Sequence, residues 1–128
     1  MPDTSSDFAG LAIPRRARAL VVEALADTRV VLIAGARQVG KSTLAAVVAE
    51  HDHPARLLSL DDKATRDAAI GDPVAFVAGL EGPVVIDEVQ RAPDLLLAIK
   101  RAVDDDPTPG RFLLTGSASI LSAPRIAE

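Results

Sequence analysis

Val30-Val31-Leu32-Ile33-Ala34-Gly35-Ala36-Arg37-Gln38-Val39-Gly40-Lys41-Ser42-Thr43 is the stretch that decides the fold. Its first five residues are apolar and largely β-branched, the signature of a short buried strand. Gly35 to Ser42 reads G-x-x-x-x-G-K-S. Thr43 to Glu50 is rich in Ala, Val and Leu and free of Gly and Pro, so it predicts a helix. Strand, glycine-flanked loop and helix together form the setting that a phosphate-binding P-loop requires.

The residue types explain the chemistry. Gly35 and Gly40 allow φ > 0 and let backbone approach a phosphate without a Cβ in the way. Amides around Val39, Gly40, Lys41 and Ser42 would face the β-phosphate at the positive end of the helix. Gly35 to Thr43, with Ala36, Arg37 and Gln38 between the glycines, therefore forms the candidate nucleotide site. Lys41 would reach the β- and γ-phosphates, and Ser42 would offer its hydroxyl to Mg²⁺. The alternative is a strand–helix turn that binds nothing, which the flanking elements argue against.

Working outward, Ile13 to Ala26 predicts a helix preceded by Arg15, Arg16 and Arg18. That cluster is either a solvated helix face or a contact for nucleic acid or a protein partner. His53-Pro54 ends the helix after the loop. Arg56 to Leu60 reads as a second strand. Asp61-Asp62 caps a helix through about Ile70, and Asp72-Pro73 starts another that runs to Gly79. Val84-Val85-Ile86-Asp87-Glu88 reads as a third strand, apolar on both faces and ending in two carboxylates. Pro93 to Asp105 carries Leu95, Leu96, Ile99 and Val103 on one helical stripe. Arg111 to Thr115 reads as a fourth strand, closed by Gly116-Ser117. Strands alternating with helices predict an α/β fold, a parallel sheet with helices on both faces.

Composition bounds the reading. The chain has 128 residues, 48% of them hydrophobic and 25% charged, enough for one domain with a core. A net charge of −4 supplies no general attraction to nucleic acid or anionic membrane. Three Phe, without Tyr or Trp, give almost no stacking platforms for single strands. There is no Cys for a disulfide or thiolate metal site. His51 and His53 read as a solvated helix end. Met1 to Asp7 is polar and acidic, unlike a signal peptide, and no apolar run spans a membrane. The expected location is cytoplasmic, without a membrane partner.

Open α/β sheets bind ligands at the carboxyl ends of their strands. Asp87 should therefore share an edge with the P-loop and hold Mg²⁺ together with Ser42. Glu88 stands beside it to polarise the water that attacks the γ-phosphate. Thr115 and Ser117 should reach the same edge. There they either hydrogen-bond water or γ-phosphate, or act as ordinary turn residues.

Four blocks, Gly35 to Ser42, Leu60-Asp61-Asp62, Val85 to Gln90 and Leu113 to Ala118, resemble the prokaryotic AAA-type P-loop ATPases that carry a C-terminal domain of unknown function. The resemblance covers about Pro14 to Glu128. It implies that the blocks around Lys41 and Asp87-Glu88 are Walker A and Walker B, Glu88 being catalytic, and that the fourth block is the sensor 1 strand. It also implies a fourth strand inserted between the first and third. Family members continue well beyond the position of Glu128, into a fifth strand, a lid and a C-terminal domain. The expectation is a disordered lead-in over residues 1–12 and a partial ATPase core over 13–128, incomplete at its C-terminus. Its first strand would lie at a sheet edge, so the chain would associate or be marginally stable.

The function expected is binding of Mg-ATP and its hydrolysis to ADP and phosphate, with ATP and Mg²⁺ as cofactors and a homo-oligomer as one assembly. Arg125 is either an arginine finger or a surface residue. Alternatives are a nucleotide-gated DNA- or protein-binding module with incidental turnover, and a P-loop small-molecule kinase. A GTPase fits poorly, because guanine is commonly read by N-K-x-D and this chain has no Asn.

Overall fold

The computed structural model describes residues 15–35 and 40–117. Helix α1 spans Arg15–Asp27 and leads into strand β1, Val30–Gly35. Helix α2 runs Gly40–Val47 and widens into a π-helical turn over Val48–Asp52. Strand β2 (Arg56–Ser59) is followed by α3 (Lys63–Gly71) and α4 (Pro73–Ala78). Strand β3 (Val84–Asp87), a 3₁₀ turn at Val89–Arg91, α5 (Leu95–Asp105) and β4 (Phe112–Ser117) complete the order.

The four strands form one sheet in the order β1-β4-β3-β2. All three pairings are parallel. The last strand is thus threaded between the first and the third, as the resemblance implied.

Alternation along the strands builds two cores. Val84, Ile86, Phe112 and Leu114 face one side and pack with Leu95, Ile99 and Val103 of α5 and Ala69 and Val77 of α3 and α4. Val85 and Leu113 face the other side, against Val21 and Leu25 of α1 and Leu44, Ala45 and Val48 of the α2 segment. A strand covered on both faces must be apolar at every position, which is why β3 and β4 read as continuous hydrophobic runs.

Local chemistry sets the boundaries. Asp62 caps α3 by accepting from the Thr65 amide at 3.0 Å. Asp72 caps α4 through the Ala75 amide at 3.1 Å, and Pro73 occupies the first turn. Strand β4 extends to Ser117, two residues past the expected end, because β1 offers Ala34 and Gly35 as partners for Gly116 and Ser117. The helix after the loop begins earlier than expected, at Gly40. Its last turn is π-helical, with the His53 amide reaching back to the Val48 carbonyl at 2.8 Å. Helix α5 starts at Leu95 rather than Pro93.

His53 does more than end a solvated helix. It is half-buried, and its Nε2 lies 2.7 Å from the Gly110 carbonyl. A carbonyl only accepts, so Nε2 carries the proton. Among the described residues, no helix is long and apolar enough to cross a membrane.

Candidate active site at the carboxyl edge of the sheet

Register and alternation converge on one edge. Ser59 of β2 lies beside Asp87 of β3, and Ile33 of β1 beside Thr115 of β4. Asp87 follows Val85 by two positions, and Thr115 follows Leu113 by two. Both therefore point to the sheet face that α2 covers.

There Asp87 is the acceptor for three hydroxyls. Ser42 Oγ donates to its Oδ1 at 2.6 Å, Thr115 Oγ1 to the same oxygen at 2.5 Å, and Ser59 Oγ to Oδ2 at 3.4 Å. Ser42 stands in the first turn of α2, so helix and third strand meet through this carboxylate. Asp87 is half-buried. Hydroxyl donors let a carboxylate stay at such a place.

Thr115 is 1% exposed and has both uses of its hydroxyl occupied. Besides donating to Asp87, its Oγ1 accepts from the Glu88 amide at 3.0 Å. It holds the two acidic residues rather than facing outward to a water or phosphate.

Glu88 leaves the strand. Its backbone is left-handed, at φ 63° and ψ 46°, so it opens the 3₁₀ turn instead of closing β3 as expected. Strand alternation alone would send its side chain to the face opposite Asp87; with the turn, a Glu88 carboxylate oxygen lies within 4.8 Å of one of Asp87. Gln90 Nε2 donates to Glu88 Oε1 at 2.7 Å, and Gln90 Oε1 accepts from the Ser117 amide at 3.1 Å.

Lys41 Nζ donates to the Gly116 carbonyl at 2.8 Å, which brings the loop lysine to the end of β4. Gly40 opens α2 with nothing within 4 Å of where a Cβ would stand, so none of its described neighbours demands a glycine there. Room beside the backbone at a helix N-terminus suits the approach of an anion. Thr43 lies in the same first turn. Ala36, Arg37, Gln38 and Val39 lie outside the described residues, as do the lead-in, Ala118 and Arg125.

Asp61, Asp87 and Glu88 each bring a carboxylate oxygen within 4.8 Å of the others. At that spacing the like charges repel one another. Arg91 offsets part of this, with its Nε 2.8 Å from Asp61 Oδ1. Hard carboxylate and hydroxyl oxygens gathered with excess negative charge are a donor set that fits Mg²⁺. Next to them, the Asp62 carboxyl is held below its ordinary 3.8, chiefly by the Thr65 amide and then by its hydroxyl.

The edge also contains residues that sequence reasoning did not assign. Ser59 was accessible in principle, since it ends a strand whose carboxyl end must face the ligand edge. Gln90 lay within the block Val85 to Gln90, but nothing there gave it a role. Its role depends on the left-handed turn at Glu88, which no pattern in the sequence announces.

The basic cluster before α1 is divided. Arg18 Nε and Nη2 bind the Asp52 carboxylate at 2.7 and 3.0 Å, while Arg15 and Arg16 are exposed. Arg18 is thus committed to joining α1 to the turn after α2.

A family model described as an AAA domain matches residues 27–128. Two uncharacterized proteins, from Mycobacterium bovis and Mycobacterium tuberculosis, are each 41% identical over 106 residues. The match covers 82% of this chain and 23% of each relative.

Proposed function

The chain belongs to the AAA domain family, and from that premise we propose that it binds Mg-ATP and hydrolyses it to ADP and phosphate. The observation that carries the proposal is the 2.6 Å contact between Ser42 Oγ and Asp87 Oδ1. It brings together, from distant parts of the sequence, the hydroxyl and carboxylate that such a reaction needs side by side.

Lys41, at the end of β4, would neutralise charge on the β- and γ-phosphates. Ser42 and Asp87 would hold Mg²⁺, which would offset negative charge on the phosphates. Glu88 accepts a proton from water as the water oxygen bonds to the γ-phosphorus. The bond from that phosphorus to the β–γ bridging oxygen breaks, and the oxygen leaves with ADP. Thr115 keeps Asp87 and the Glu88 backbone in register. The chain spans 23% of the curated relatives it matches, so this proposal concerns the nucleotide-handling step alone.

Calorimetric titration with ATP, with and without Mg²⁺, and phosphate release without added acceptor test the reading together. Lys41→Ala is expected to lose nucleotide binding. Glu88→Gln is expected to bind and not turn over. Native ATP affinity in Lys41→Ala would refute a phosphate site at this loop, and turnover only with an added acceptor would favour a kinase.

A further inference from the structure

Two contacts at the end of β4 meet in a single peptide unit. The Gly116 carbonyl accepts from Lys41 Nζ at 2.8 Å. The Ser117 amide, across the same C–N bond, donates to Gln90 Oε1 at 3.1 Å. Gln90 continues the chain, since its Nε2 donates to Glu88 Oε1 at 2.7 Å. A cation and a carboxylate therefore sit at opposite ends of one hydrogen-bonded line: ammonium, peptide, side-chain amide, carboxylate.

Every link runs donor to acceptor in the same direction. Lys41 polarises the carbonyl, which makes the Ser117 N–H a stronger donor. That bond draws density from the Gln90 amide and strengthens its own N–H toward Glu88. Such alignment is the condition for cooperative hydrogen bonding. Gln90 is half-buried. Its neighbour Arg91 is tied to Asp61 beyond the end of β2. The short turn thus makes contacts toward two other strands.

We infer that Gln90 is a positioning residue that couples Lys41 to Glu88 through the Gly116–Ser117 peptide. Gln90 holds the Glu88 carboxylate in its orientation toward water, and when Lys41 turns to a phosphate the strength of that hold changes through the shared peptide. Proton acceptance by Glu88 is linked in this way to phosphate engagement. The inference rests on the proposed hydrolysis for its consequence, but the link itself is testable without turnover.

Two measurements on the full chain decide it. In ¹⁵N-labelled protein, the Gln90 side-chain amide signals, identified by their loss in Gln90→Met, are expected to move on Lys41→Met. Signals unmoved by Lys41→Met, in a variant that melts like the native chain, overturn the coupling. In kinetics, Gln90→Met is expected to keep nucleotide Kd within about twofold while kcat falls about tenfold to a hundredfold. Gln90→Glu, which sets a like charge beside Glu88, is expected to show the same split. Equal loss of affinity and turnover in both variants, or native kcat in both, overturns the positioning role. Glu88→Gln separates the underlying reading: if it retains native turnover, the assignment of Glu88 as proton acceptor fails, while the amide signals still decide the link.

Discussion

Replacing Glu88 by glycine and by alanine should invert the usual order of stability. Both substitutions delete the same carboxylate and the same bond to Gln90, so their difference isolates the backbone. Glu88 sits at φ 63°, ψ 46°, where a Cβ crowds the following carbonyl. Holding a residue with a side chain there costs about 1–2 kcal/mol. Glycine avoids that cost but loses more chain freedom on folding, by about 0.5–1 kcal/mol. The balance favours Glu88→Gly over Glu88→Ala by about 0.5–1 kcal/mol. In a domain of this size that is a Tm higher by about 4 °C. At an unstrained position the alanine variant would be the more stable. Thermal melts followed by circular dichroism, without nucleotide, read the difference directly. An alanine variant that melts at or above the glycine variant would show that the left-handed turn is not strained, and the reasoning would fail. The strain persists because contacts on both sides fix it: Thr115 takes the Glu88 amide, and the Arg91 amide donates to the Glu88 carbonyl at 3.0 Å.

Three further outcomes are expected. Thr115→Val keeps the shape of a buried side chain but strands the Glu88 amide and removes a donor from Asp87; about 3 kcal/mol of stability should be lost, measurable by urea unfolding. Gly110→Ala puts a Cβ 2.5 Å from the His53 ring and 2.7 Å from the Leu25 carbonyl, at φ +75°; chemical denaturation should show a loss of at least about 2 kcal/mol. Asp62 has a lowered folded pKa, so its contribution is present above its ordinary value and is lost as pH falls through the folded one. The gap in Tm between the native chain and Asp62→Ala should therefore hold steady from pH 8 to pH 5 and close below the ordinary 3.8.

Much of the fold was legible because local and global signals agree. Asp72-Pro73 at one helix start and the all-apolar run Val84 to Ile86 each have one dominant physical meaning. The pairing of Ser42 with Asp87 was also legible, since both the P-loop pattern and the strand end point to the same edge. What stayed hidden depends on a few backbone angles. Glu88 looked like the last residue of a strand, and only its left-handed conformation brings Gln90 back toward Ser117. Thr115 looked exposed at a strand end, but two added ladder positions bury it. His53 looked solvated because nothing local announces that Gly110, far along the chain, lies against it.

That last contact has a geometric counterpart at the other end of the same helix. Lys41 meets Gly116 and His53 meets Gly110. The twelve steps from Lys41 to His53, α-helical with a final π-helical turn, advance at most about 18 Å, and the six from Gly110 to Gly116, which pass a turn before β4, at most about 20 Å. The α2 segment and β4 are thus commensurate, a beam and a rail pinned at both ends. Adding or removing one residue anywhere in that helix must unpin one end, either the lysine from the carboxyl edge of the sheet or the histidine from the far side. Length variation in this part of the domain should therefore collect outside the pinned segment, in the short stretch around Pro54 and Ala55.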